Sequence, residues 1–157
     1  MKKLFFGIIA IVVTSLSLNA QSNTEEVDLF QSIFGMEKKA MVETIVTVNE
    51  ASKAEFWNLY DEYETQRKEL GKQRITLLNN YANNYNNFTD ESLDRFMAEG
   101  LKHKTQTDAL IVKYYKKIRK SSGSLTATQF YHIESLIASE IRSAILENIP
   151  YLQKVGN

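Results

Sequence analysis

Acid–base or metal chemistry in this chain would have to be built from two histidines, His103 and His132, and from its carboxylates, because the sequence contains no cysteine. Thiol nucleophiles, thiolate metal ligands and disulfides are thereby excluded. The histidines form neither a His-x-x-x-His nor a Glu-x-x-His pair, and a metal centre needs such clustered ligands. His103 lies in the polar run Lys102–Asp108 and reads as a solvated side chain, as does His132, which shares its segment with Glu134 and Glu140. Asp61, Glu62 and Glu64 form an acidic cluster. General acid–base work needs two carboxylates in one pocket, and neighbouring helical positions point in different directions, so this cluster reads as a solvated face. With no glycine-rich phosphate loop either, the sequence predicts no catalytic residue, no metal and no cofactor.

Binding chemistry is better represented. The eight tyrosines are Tyr60, Tyr63, Tyr81, Tyr85, Tyr114, Tyr115, Tyr131 and Tyr151. Tyrosine covers a large area at low entropic cost and keeps a polar tip; their spacing assigns most of them to a core and a minority to binding. Lys113, Lys116, Lys117 and Lys120 recur at spacings of three, four and seven, with Arg119 beside them and no acid between Ile111 and Thr128. Cations are favoured at a helix C-terminus, yet five exceed what a helix dipole requires. The four lysines are therefore candidate partner-binding residues for acidic protein segments or, by surface contact, anionic headgroups.

One stretch, Leu125-Thr126-Ala127-Thr128-Gln129-Phe130, carries three helix-start signals. Thr126 is placed as an N-cap, Gln129 as its capping-box partner, and Leu125 with Phe130 as a hydrophobic staple. Val48-Asn49-Glu50-Ala51-Ser52 reads as a degraded copy, with Asn49 in the place of Thr126 and Ser52 in that of Gln129.

The elements that must position these residues are helices. Lys2 and Lys3 precede an uncharged, mostly apolar run from Leu4 to Leu18, and Ala20 is a small residue suited to cleavage. Residues 1–20 are thus expected to be a secretory signal peptide, too short in their apolar run for a spanning helix. Residues 21–157 are expected to form one helical domain. Without Lys2 and Lys3 the acids outnumber the bases by two, which excludes a globally basic nucleic-acid binder. The only proline is Pro150, so long helices are unobstructed.

A first helix is predicted from about Glu25 to Ile45, with an apolar face of Phe30, Ile33, Phe34, Met41 and Ile45 and a break at Gly35. A second, from about Glu50 to Tyr85, carries the stripe Phe56, Tyr60, Tyr63, Leu70, Leu77, Tyr81 and Tyr85. Arg67 and Arg74 interrupt that stripe and are expected to turn their charges outward. A third runs from about Asp90 to Arg119 behind a Thr89 cap, with Leu93, Phe96, Met97, Leu101, Ile111, Val112, Tyr115 and Ile118 as buried candidates. Ser121–Ser124 reads as a loop, and a fourth helix from Thr126 to the Asn148-Ile149-Pro150 stop buries Phe130, Ile133, Leu136, Ile137, Ile141, Ala144 and Ile145. No segment alternates over strand length. The predicted class is all-α, with four main helices arranged as long antiparallel hairpins. Helices this long leave apolar surface uncovered, and a homodimer is the simplest cover.

The Leu-Thr-x-x-Gln motif in a cysteine-free, helical chain behind an export signal resembles the Spy/CpxP-like family of small bacterial envelope proteins. Three further stretches carry the likeness: Phe56-Trp57-Asn58-Leu59-Tyr60-Asp61-Glu62-Tyr63, Tyr114-Tyr115-Lys116-Lys117-Ile118-Arg119-Lys120, and Phe130-Tyr131-His132-Ile133-Glu134 with Ile149-Pro150. The resemblance implies a curved, cradle-shaped homodimer in the periplasm. It also implies non-catalytic, ATP-independent binding of unfolded or stress-related envelope proteins. A metal-responsive sensor, or a dedicated partner subunit of a membrane regulator, are the alternatives.

Overall fold

A computed structural model describes residues 24–150, with side chains from 34 onward. The expected signal peptide, the side chains of Phe30 and Ile33, and Tyr151 lie outside the described residues. Four helices and no strand occupy the described part: α1 (Thr24–Ile45), α2 (Lys53–Asn84), α3 (Asp90–Ser122) and α4 (Ser124–Asn148). A 3-10 turn, Glu50–Ser52, leads into α2. No described helix is long and apolar enough to cross a membrane.

Local chemistry accounts for most of the boundaries. Asn49 Oδ1 accepts from the Ser52 N–H at 2.9 Å and starts the 3-10 turn. Thr89 caps α3 through a reciprocal box with Ser92: Thr89 Oγ1 accepts from the Ser92 N–H at 3.3 Å, and Ser92 Oγ accepts from the Thr89 N–H at 2.8 Å. The expected loop at 121–124 contracts to Gly123 alone, at φ 90°. That backbone region is strained for any side chain, and it lets α3 and α4 fold back on one another within one residue. The expected break at Gly35 does not occur; α1 is continuous. A Cβ at Gly35 would meet Lys68 Cε at 3.4 Å and Glu64 Oε2 at 3.5 Å, ordinary van der Waals contact; the helix runs through the glycine because its cost of up to about 1 kcal/mol is opposed by the buried contacts of Phe34 and Lys38 on either side.

Helix α3 runs along both α2 and α4, and α1 contacts both α2 and α4. The main core gathers at one end of the α2–α3 hairpin. It joins Phe56, Leu59, Tyr60 and Tyr63 to Leu110, Ile111, Tyr114 and Ile118, and to Ala127, Phe130, Ile133 and Ile137. Its aromatic rings meet edge to face, with Phe130 5.1 Å from Tyr63 and 6.4 Å from Tyr60. A smaller aromatic cluster at the hairpin tip sets Tyr81 beside Tyr85, Phe88 and Phe96.

The predicted inner face of α3 needs correction. Leu110 and Tyr114 are buried, whereas Met97, Leu101 and Val112 are exposed. On α4, Leu136 is exposed as well. A helix packed between two others turns a different arc inward from the one its longest apolar side chains suggest. Apolar surface is left uncovered, as expected for helices of this length.

Between the two aromatic clusters polar side chains enter the α2–α3 seam beside Leu70 and Leu77. His103 is not the solvated side chain that its neighbours suggest: it is half-buried, and Nε2 donates to the Leu70 carbonyl oxygen at 2.8 Å. Burial lowers its pKa from the ordinary 6.5, and the Arg74 cation lowers it further, against the opposing effect of the Leu70 bond. The folded protein therefore prefers the neutral imidazole, and the unfolded chain binds more protons near that pH. This contribution to stability is present above about pH 6.5 and is lost as the pH falls through the folded pKa. His103→Gln should accordingly lose less stability than wild type between pH 7 and pH 5, read as the shift of the urea midpoint.

Candidate functional site

The Leu125–Phe130 motif is not a helix cap. Helix α4 begins at Ser124, with Gly123 at the N-cap and no side-chain capping bond. Thr126 and Gln129 therefore lie inside the helix, one turn apart on the same side. Thr126 Oγ1 donates to the Thr47 carbonyl oxygen at 2.7 Å. Gln129 Oε1 accepts from the Thr47 N–H at 2.8 Å, and its Nε2 donates to Thr47 Oγ1 at 3.4 Å. Two helical side chains thus satisfy both backbone groups of one residue in the non-helical segment 46–49 between α1 and the 3-10 turn. No staple forms either: Leu125 is 64% exposed, and Phe130 is buried against the tyrosines of α2. Asn49 does cap its own turn, so the two motif copies perform different tasks.

The strongest polar feature of the interior is one that motif reading did not single out. Lys38 of α1 is 2% exposed, and its ammonium contacts carboxylates from two other helices, Glu64 on α2 and Glu134 on α4. The Glu134 bond is 2.9 Å long. Glu134 is also 2% exposed, and its Oε2 accepts from the Tyr63 hydroxyl at 2.7 Å. Lys38 Nζ lies 5.0 Å from the Tyr63 ring centroid and 5.6 Å from that of Tyr60, within cation–π range. Glu64 is shared with Arg67, whose Nε reaches both of its oxygens at 3.0 Å. The expectation that Arg67 turns outward is thus corrected: a buried carboxylate draws it in. Arg74, half-buried, has its pKa pushed down to about 10 by burial and by the neighbouring Arg67 and Arg142 cations.

These groups form a socket that holds one ammonium ion with two carboxylates and two aromatic rings. Burial, reinforced by the Glu134 and Glu64 carboxylates, pushes the Tyr60 and Tyr63 phenols well above their ordinary range, so both stay neutral. A sequence signal existed. Lys38 interrupts the Phe34–Val42–Val46 stripe at a spacing of four, and Glu134 sits between Ile133 and Ile137 four residues beyond Phe130.

The acidic cluster on α2 is not one solvated face: Asp61 and Glu62 are exposed, but Glu64 is buried because Lys38 lies opposite it. Glu64 faces inward, Asp61 pairs with Lys39 at 2.7 Å, and Glu62 pairs with Lys117 at 2.9 Å. Lys117 holds the Glu62 carboxyl below its usual pKa. These last two acids line an open groove with Glu55, Asn58, Leu59 and Thr65. The lysine face divides too. Lys113 donates to Gln66 Oε1 at 3.0 Å, Lys117 binds Glu62, and both ammonium groups lie over the Tyr114 ring. Half of the candidate binding lysines thus lock α3 onto α2. Lys116 and Lys120 are exposed with no partner among the described residues, as is Arg119. His132 is exposed, and the described residues contain no group of three or more His, Asp or Glu able to hold a metal.

Two expectations follow for stability. Removing one partner of a buried ion pair strands the other, so Lys38→Met should cost about 3–5 kcal/mol. Adding Glu134→Gln should restore part of the loss, because a neutral amide no longer carries a stranded charge; urea unfolding checks both. Thr126→Val and Gln129→Ala should each cost about 1 kcal/mol. Their double mutant should cost less than the sum of the two, because both act on Thr47; a double-mutant cycle in urea measures the coupling.

Against known proteins, the chain matches no family model, and no curated protein or solved structure matches it significantly.

Proposed function

We propose that the chain is an exported, non-catalytic, Spy-like helical protein of the periplasm that binds unfolded or stress-related envelope proteins without ATP and works as a homodimer. The observation that supports this most directly is the outer face of the α3–α4 hairpin. Val112, Tyr115, Lys116 and Arg119 follow one another at helical spacing, with Val112 exposed and Tyr115 half-buried. Tyr115 meets Tyr131 of α4 edge to face at 5.8 Å, and Tyr131 remains 43% exposed. Lys116 and Arg119 share this face of α3, with Lys120 one turn beyond Lys116, and all three are exposed cations without an ion pair among the described residues. A strip of apolar and aromatic surface fringed by cations suits acidic segments with exposed apolar side chains, as unfolded clients present them. The non-catalytic part of the reading rests on the carboxylates: Glu62 and Asp61 are held in surface ion pairs, and Glu64 and Glu134 share Lys38, with Arg67 as the second cation on Glu64.

The test is suppression of aggregation, without ATP, of two unrelated unfolded proteins. Wild type should suppress both; failure on both would refute the reading. A pull-down with one stoichiometric partner would instead favour a dedicated subunit. The variant Lys116→Gln, Arg119→Gln, Lys120→Gln keeps helix-forming residues and should retain the helical CD spectrum. It should capture clients more slowly than wild type at low salt. The two proteins should converge at high salt, because the Debye length of about 8 Å at 0.15 M shortens further as salt rises.

A further inference from the structure

The charge of Arg74 is unanswered among the described residues. Its side chain is half-buried on α2, and it makes no ion pair and no side-chain hydrogen bond there. A guanidinium does not escape by losing its proton: with its pKa pushed down to about 10, Arg74 is still a cation at neutral pH. Its surroundings add to the charge. Arg67 lies two turns away on the same side of α2, Arg142 arrives from α4, and both bear on Arg74 as neighbouring cations. The carboxylates nearby are already divided. Glu64 is shared by Arg67 and Lys38, and Asp108 by Arg142 and Lys104, so neither has charge to spare for Arg74. A charge drawn out of water without a counter-charge is costly. Three helices meet around this one. His103 of α3 donates to the Leu70 carbonyl oxygen at 2.8 Å, one turn before Arg74, and Arg142 of α4 reaches Asp108 of α3 at 3.4 Å. The Arg67 side chain is 11% exposed and that of Arg142 40%, so the cluster opens to solvent on the Arg142 side and closes towards Arg67.

We propose that Arg74, with Arg67 and Arg142 beside it, forms a binding site for a small free oxyanion of the phosphate or sulfate type, held between α2 and α4. The planar guanidinium fork presents paired N–H donors that match two oxygens of such an ion. A doubly charged ion answers a cluster of cations better than a single carboxylate does. The half-buried position of Arg74 admits a free ion and keeps out a headgroup fixed in a bilayer surface. His103, neutral at ordinary pH, neither repels the ion nor supplies charge to it. The site lies away from the Tyr115–Tyr131 strip and is independent of client binding.

The two histidines make the test direct. The Arg74 cation lowers the His103 pKa, so an anion resting on Arg74 should raise the His103 titration midpoint towards the ordinary 6.5. His132, which is exposed, reports any general effect of the salt. Both imidazoles are followed by NMR through a pH titration, with sodium sulfate replacing sodium chloride at constant ionic strength so that screening is held fixed. Sulfate keeps its double charge throughout. The expected result is a His103 midpoint that rises with sulfate and saturates, while that of His132 stays in place. Arg74→Gln should raise the His103 midpoint in chloride and abolish the further rise with sulfate. Arg74→Lys keeps the charge without the fork and should weaken the response. A wild-type His103 that sulfate does not move overturns the site, and so does a sulfate response that Arg74→Gln leaves intact. Where the CD spectrum shows that Arg74→Gln does not fold, Arg142→Gln takes its place, with a weakened response expected and an unchanged one overturning the site. Phosphatidylglycerol vesicles, matched in phosphate to the sulfate, should leave His103 unmoved; a shift with vesicles and none with sulfate overturns the free ion as the ligand.

Discussion

The register of α1 against α2 and α4 depends on one buried cation. Among the described residues, Lys38 alone touches a carboxylate on α2 and a carboxylate on α4 at once. Without it Glu134 would be a buried carboxylate with no cation, beside Glu64, which would keep only Arg67. With it, the same acids become the reason α1 has a fixed register. Tyr63 completes the arrangement by donating to Glu134, and its ring contributes to holding the ammonium. The network is a specificity device set into an apolar seam, the role for which buried ion pairs are best attested.

The second determinant is the grip on Thr47. A chain leaving a helix exposes backbone groups that need partners. Here they come from Thr126 and Gln129, side chains of a helix that begins about eighty residues later. The Leu-Thr-x-x-Gln motif therefore acts across the structure and not along its own helix. It ties the root of α1 to α4, while the socket ties the middle of α1 to α2 and α4. The root and the middle of α1 are thus both tied to α4.

Charge is partitioned in the same spirit. On the α3 surface alternate lysines have different duties: Lys113 and Lys117 reach across to Gln66 and Glu62 and clamp the hairpin, while Lys116 and Lys120 point to solvent. Identical residues at helical spacing are thereby split between holding the fold and presenting a surface. The uncovered apolar side chains near them, Val112 and Tyr131, make that surface mixed in character.

The sequence by itself determined the fold class, the number of helices and nearly all their ends. Those properties rest on local physics: apolar periodicity, the Thr89 and Asn49 caps, the asparagine-rich turn and the stop at Asn148-Ile149 all act within about a turn of helix. It read Asp61, Glu62 and Glu64 together as a solvated face, which holds for Asp61 and Glu62 but not for Glu64, because a buried cation lies opposite Glu64. Only the tertiary structure decided what Thr126 and Gln129 do, since a residue that can cap its own helix can equally bind a distant backbone, and Gly123 had already started the helix. Lys38, Glu134 and Arg67 belong to the same class. A charged residue on an apolar stripe is legible as an anomaly, but whether it turns to water or to a partner depends on what lies opposite, and Lys38 and Glu134 are 96 residues apart.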